Sequence, residues 1–358
     1  MRYKNILITG GAGFVGSNLA IKLKEHYPKV QIFVLDNLRR RGSELNIPRL
    51  KGKDIIFVHG DIRNKEDFIF EGVDKTDFIL ECSAEPSVLA GVYSSPEYLI
   101  NTNLVGAINC LELARKNCAD FIFLSTSRVY PIEALNKLKF QEKETRFILD
   151  KEQKMQGVSA KGVAENFPLD KARSLYGATK LAAELFLLEY ISTYRIKGAV
   201  NRCGLITGPW QMGKVDQGVI ALWVAAHIFK KKLSYIGFGG RGKQVRDFLH
   251  IDDLFNLVNL QMQNIDKFNG QIYNVGGGVK NSVSLLELTQ YCQKYTGSKI
   301  KISSLAKTRP NDIRIYISDC TKIFQKTGWQ PRKKIDQTVF EITKWINDNK
   351  NKLENILT

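Results

Sequence analysis

The chain has 358 residues, 44% hydrophobic and 25% charged, which excludes disordered, collagen-like and mucin-like polymers and leaves room for about two domains. Lysine and arginine total 53 against 36 aspartate and glutamate, a formal net charge of +17. The basic blocks Arg39-Arg40-Arg41 and Lys230-Lys231-Lys232 are short and lack interleaved aromatics, so the charge reads as solvated surface first and attraction for an anionic small substrate second, with no nucleic-acid partner expected.

From residue 4 to about 130, short apolar strands alternate with helical periods. Strands are expected over Asn5–Ile8, Val30–Asp36, Ile55–His59, Phe78–Cys82 and Asp120–Ser125, with an amphipathic stretch from Glu97 to Lys116 before the last of them. That alternation belongs to an α/β, doubly wound fold, a parallel sheet covered on both faces. From Pro131 to Ser174 the rhythm breaks into a charged, weakly apolar stretch read as an insertion or long loop. A helical period resumes at Tyr176 and runs to about Tyr194, followed by a strand near Gly198 to Arg202. Beyond residue 205, turn signals at Gly208-Pro209, Gly237 to Gly242 and Gly276-Gly277-Gly278 cut the chain into short elements, the pattern of a smaller substrate-binding lobe. The expected division is a dinucleotide-binding domain over 1–202, with its insertion at about 131–174, and a lobe over 203–358 from which some segments return to the first domain.

The longest apolar run, Val219 to Phe229, falls short of the ~18 residues a membrane span needs and reads as a buried helix. A strand begins almost at the N-terminus, leaving no room for a signal peptide, so a cytoplasmic protein without a membrane partner is expected. The six cysteines, at 82, 110, 118, 203, 292 and 320, form no CxxC pair, and with four histidines they read as free thiols rather than a metal site.

Thr9-Gly10-Gly11-Ala12-Gly13-Phe14-Val15-Gly16 follows the first strand and opens the first helix. Glycines at 10, 13 and 16 allow a tight turn, close approach of backbone N–H groups to a pyrophosphate, and close packing of helix on strand. Asp36 ends the second strand 20 residues later, where a carboxylate accepts both ribose hydroxyls and repels a 2′-phosphate. The cofactor expected is therefore NAD, although the arginines at 39 to 41 pull toward NADP. Gly10, Gly13, Phe14, Val15, Gly16, Asp36, Asn37 and Arg39 are the first candidate contacts. Asp61 and Ile62 after the third strand, Cys82, Ser83 and Ala84 after the fourth, and Asn103 complete the cofactor set.

Tyr176-Gly177-Ala178-Thr179-Lys180 sets a phenol and an ammonium at i and i+4, one turn apart on one helix face. A cation beside the phenol lowers its proton affinity, so that the tyrosine can take a proton from a sugar hydroxyl. Ser125-Thr126-Ser127 ends the strand before it.

This combination resembles the extended short-chain dehydrogenase/reductase family, over nearly the whole chain. The resemblance implies a Rossmann fold with a smaller C-terminal lobe. It makes Tyr176 the acid/base, Lys180 its partner and a ribose ligand, and Thr126 the hydroxyl that orients the reacting oxygen. In the block Val245-Arg246-Asp247-Phe248-Leu249-His250, it gives Arg246 to the substrate diphosphate, with Arg309 as the second such arginine and His250 as structural. Dehydratases of the family carry Asp-Glu after the threonine, whereas Ser127 and Arg128 stand here, so the resemblance implies epimerisation. A substrate-binding Asn of the 4-epimerases is replaced by Leu205. Gln211, Asp216, Gln217 and the gap of 50 residues between Thr126 and Tyr176 resemble members acting at C2 of a CDP-activated 3,6-dideoxyhexose. The implied substrate set is Thr126, Ser127, Arg128, Gln211, Asp216, Gln217, Arg246 and Arg309. The alternatives are UDP-hexose 4-epimerisation and a catalytically inactive dinucleotide- or RNA-binding scaffold. The family also implies a homodimer packed through the helices near 97–116 and 176–194.

Overall fold

The computed structural model describes residues 2–213 and 217–357, and these fall into two compact units. The first comprises Met1–Thr126, Leu175–Arg202 and Phe255–Ile272; the second comprises Ser127–Ser174, Cys203–Leu254 and Tyr273–Thr358.

A seven-stranded sheet organises the first unit. Its strands are β1 (Asn5–Thr9), β2 (Gln31–Asp36), β3 (Ile56–His59), β4 (Phe78–Glu81), β5 (Asp120–Thr126), β6 (Gly198–Cys203) and β7 (Gln271–Val275), in spatial order 7-6-5-4-1-2-3. β1 runs parallel to β2 on one side and β4 on the other, and β2–β3 and β4–β5 are parallel as well. The order therefore reverses at β1, which opens a crevice at the carboxyl ends of β1 and β4, where ligands bind in such sheets. The central strands are unbroken apolar runs because both their faces are covered: Ile6, Leu7, Ile8, Phe78, Ile79 and Leu80 have no exposed surface. Strands β1 to β6 lie within a residue or so of their expected bounds, whereas β7 was not expected from the sequence.

Helices α1 (Phe14–His26), α2 (Gly106–Asn117) and α3 (Leu175–Tyr194) belong to this unit. The amphipathic stretch expected from Glu97 to Lys116 is helical but not uniform. A short helix, Glu97–Ile100, enters a π-helical turn at Asn101–Val105 before α2 begins. The core joins Leu7, Phe33, Ile79, Phe121 and Phe123 of the sheet to Cys110 and Leu111 of α2 and Ala183 and Leu187 of α3.

In the second unit, the strand Val245–His250 pairs in parallel with Leu205–Thr207 and Ile315–Tyr316 and antiparallel with Ser282–Ser284. The helix Val219–Ile228 is almost wholly buried, as its apolar run predicts. The helix Leu285–Thr296 opens on a capping box between Ser284 and Glu287 and closes on Gly297 in the left-handed conformation.

Residues 131–174, read from the sequence as an insertion or loop in the first domain, lie in the second unit and carry a helix (Ile132–Asn136) and two short hairpins. Long-range polar contacts hold them. The Asn136 amide donates to the Asp312 carbonyl at 3.0 Å, and its Oδ1 accepts from Arg314 N–H at 2.9 Å. Arg146 pairs with Glu287 at 2.6 Å.

Candidate active site

Helix α1 begins at Gly13 with no side chain capping it and no acidic residue in its first turn, so its N–H groups and positive potential are open to an anion. Gly10 has φ +62°, and a Cβ there would stand 2.9 Å from the Cys82 carbonyl and Ser83 backbone; the loop after β4 therefore rests directly on the glycine turn. A Cβ on Gly13 would meet only the Gly10 carbonyl oxygen within 4 Å, so space lies open beside that N-terminus. These features fit a dinucleotide pyrophosphate. Asp36 accepts hydrogen bonds from Ala12 N–H at 3.1 Å and Leu38 N–H at 2.8 Å, tying β2 to the glycine turn. Burial raises its pKa, and these backbone donors oppose the rise.

Asn37 donates to Asp61 at 2.7 Å, and Arg63 pairs with the same carboxylate at 2.7 Å. Burial pushes the Asp61 carboxyl up, but Arg63 and Asn37 outweigh it and bring it down to about 2. Arg39 stacks on the Tyr98 ring at 3.7 Å, and Arg63 lies 4.7 Å from the same ring. Ile62 is buried against α2, where a Cβ on Gly106 would come within 2.5 Å of its Cδ1.

Asn103, in the π-helical turn, has 1% of its surface exposed. Its Oδ1 accepts from Glu85 N–H at 2.8 Å, and its amide donates to the Glu85 carbonyl at 3.1 Å and the Thr179 hydroxyl at 3.4 Å. It thus fastens the loop after β4 to α3.

Tyr176 and Lys180 lie in the first turns of α3. Lys180 is 2% exposed; its ammonium is 3.4 Å from Glu81 Oε2 and 4.0 Å from the centre of the Phe123 ring. One turn further on, Glu184 pairs with Arg202 of β6 at 2.8 Å and accepts from Ser125 Oγ of β5 at 2.5 Å. Thr126, next in sequence, is 7% exposed. A buried carboxylate therefore binds the end of β5 and β6 to the helix that carries the tyrosine and lysine. The sequence reading gave Glu81, Glu184, Arg202 and Tyr98 no role. Glu184 had a visible signal, its place at i+4 from Lys180 and i+8 from Tyr176; nothing local pairs it with Arg202.

In the second unit, Ser127, Arg128 and Arg246 line one pocket with Leu205, Asp247, Ile313 and Tyr316. Arg246 pairs with Asp312 at 2.9 Å; burial lowers its pKa to about 10, against the pull of that carboxylate. Arg128 donates to the Asn311 carbonyl at 3.1 Å. Arg309 is half-buried at the start of this same turn, outside the pocket lining. Gln211 accepts from the Thr207 hydroxyl and donates to the Ile206 carbonyl, both at 2.9 Å, so its amide is tied to the strand Leu205–Thr207 before it. Gln217 is half-buried, and Asp216 lies outside the described residues. His250 is buried, with Nε2 3.1 Å from Glu341 and Nδ1 accepting from Asp252 N–H at 3.1 Å. Lys333 pairs with Glu341, 2.5 Å away. No helix among the described residues is long and apolar enough to cross a membrane.

A seven-stranded doubly wound sheet with an uncapped glycine turn and a Tyr-x-x-x-Lys helix defines a dinucleotide-dependent enzyme class, and the chain belongs to the NAD dependent epimerase/dehydratase family, which it matches over residues 6–276. NAD is accordingly its cofactor. The chain is 32% identical over 353 residues to CDP-paratose 2-epimerase of Salmonella typhi, covering 96% of this chain and 99% of that one. It is 29% identical over 351 residues to a putative UDP-glucose 4-epimerase of Methanocaldococcus jannaschii, covering 96% and 99%. Among solved structures, dTDP-glucose 4,6-dehydratase from Bacillus anthracis in complex with NAD is similar, with a TM-score of 0.76, 26% identity, and coverage of 99% of this chain and 100% of that one.

Proposed function

We propose that this protein is a nucleotide-sugar epimerase that inverts C2 of a CDP-3,6-dideoxyhexose, interconverting CDP-paratose and CDP-tyvelose. The observation that carries the reading is the 32% identity to a CDP-paratose 2-epimerase across 96% of the chain. Ser127 and Arg128 support it, because neither replaces the Asp-Glu pair with which dehydratases move protons at C5 and C6.

Gly10, Gly13, Phe14, Val15 and Gly16 would hold the NAD pyrophosphate, with Asp36 at the ribose and Asn37, Arg39, Asp61 and Ile62 toward the adenine. Cys82, Ser83, Ala84 and Asn103 would line the nicotinamide side. Bound NAD supplies a hydride acceptor that also returns the hydride. Tyr176 takes the proton of the C2 hydroxyl, Thr126 orients that oxygen, and Lys180 stabilises the phenolate; the same tyrosine gives the proton back after the sugar has turned its other face. Arg246 and Arg309, with Arg128 beside them, would anchor the diphosphate while only the sugar reorients. We also propose a homodimer, built on α2 and α3.

Incubation with CDP-paratose and, separately, UDP-glucose, followed by NMR, tests the reading: inversion at C2 of the cytidine sugar is expected, and turnover of the uridine sugar alone overturns it. Tyr176→Phe should retain NAD, as read by mass spectrometry of ligand released on denaturation, and lose turnover by about 100-fold or more.

A further inference from the structure

Glu81 is a buried charge near the acid/base that the scheme above leaves unused. It closes β4 in register with Thr9 of β1, has 1% of its surface exposed, and meets the Lys180 ammonium from α3 at 3.4 Å. Every element packed on this point contributes. The Cys110 thiol comes from α2, its proton affinity raised by burial and by the Glu81 charge; the Phe123 ring comes from β5 and the Lys180 ammonium from α3.

An isolated carboxylate in such a place is expensive, so one that stands there with a lysine does so as a pair. Glu81 is the single hydrogen-bond acceptor of the Lys180 ammonium among the described residues, and an ammonium has three donors. The carboxylate therefore grips the ammonium on one side and leaves two N–H groups for a ribose and for the field at Tyr176.

We propose that Glu81 is a positioning residue for the acid/base chemistry: its carboxylate holds the Lys180 ammonium in place, and together they set the proton affinity of Tyr176. This rests on the role proposed above for Tyr176 and Lys180. The sign follows from Coulomb's law. A negative charge raises the proton affinity of a phenol near it, so removing it while the Lys180 ammonium stays lowers the affinity of Tyr176.

The test is Glu81→Gln, which keeps the shape and an acceptor oxygen and removes the charge. Two readouts are taken on the NAD-loaded protein. The first is phenolate absorbance near 295 nm against pH, with the Tyr176→Phe curve subtracted; it needs no sugar, so it stands even if the epimerase reading fails. The second is the pH profile of kcat/KM. In Glu81→Gln both the phenolate midpoint and the acid limb are expected to move to lower pH by about one unit or more, and the basic limb is expected to follow. Glu81→Asp, which keeps the charge at slightly greater distance, should move them the same way by less, and it serves if Glu81→Gln does not fold. A folded variant with lowered Tm but an unmoved phenolate titration would make Glu81 merely structural and overturn the proposal. A shift to higher pH would overturn it as well.

Discussion

Glu184 has no exposed surface, yet it joins β5 through Ser125, β6 through Arg202 and α3 through its own backbone. Removing one member of a buried ion pair leaves the other charged and unsatisfied, at a cost of about 3–5 kcal/mol. Glu184→Ala is therefore expected to lower unfolding stability by that amount in chemical denaturation, and to cut turnover further than Arg202→Met paired with Glu184→Leu, which removes both charges. Equal losses in the single and double variants would show that packing, not the uncompensated arginine, governs the site. Lys180 teaches a related lesson. Its spacing from Tyr176 is plain in the sequence, but its partner Glu81 lies 99 residues away and is found only through the sheet register. Asn103 and Gln211 are the same kind of case, one bound to a loop and a helix and the other to the strand before it.

Among elements, α3 has an unusual apolar balance: Leu185 is 57% exposed, Phe186 41% and Tyr194 47%, and Val105, just before α2, is 39% exposed. Leu181 and Leu185 recur at helical spacing with Ala178 and Ala182, so this is a stripe rather than a scatter of single side chains. A second copy of the same surface is the cover proposed for it. The wild-type chain should elute as a dimer of its 40.6 kDa protomer in light scattering, and Leu185→Asp with Phe186→Asp should shift it toward monomer. A wild-type monomer at micromolar concentration would end that proposal. The elements themselves were legible because strands buried on both faces must be continuously apolar and α3 must repeat at helical period. The stretch from 131 to 174 was not, because its order comes from contacts such as Asn136 with Asp312 and Arg146 with Glu287, which leave no periodicity.

Taken whole, the molecule carries +17, and few of its cations have a role in the proposed chemistry: Lys180, Arg246, Arg309 and Arg128 foremost. Others are already neutralised, as Arg63 is by Asp61 and Arg146 by Glu287. We propose that the remaining surplus draws an anionic nucleotide sugar inward, through a field that salt screens over about 10 Å at 0.1 M. kcat/KM should thus fall as ionic strength rises while kcat stays nearly constant. A flat kcat/KM would reduce the surplus to composition.

The sequence by itself determined strands β1 to β6, the glycine turn, the Tyr176–Lys180 spacing and the NAD chemistry they imply, because each depends on residues within a turn or a strand of one another. Only the tertiary structure decided what the buried charges meet: Glu81 with Lys180, Glu184 with Arg202 and Ser125, Arg246 with Asp312. Those pairings arise where distant segments are brought to one place, and the need to satisfy a charge away from water, not any local pattern, selects them.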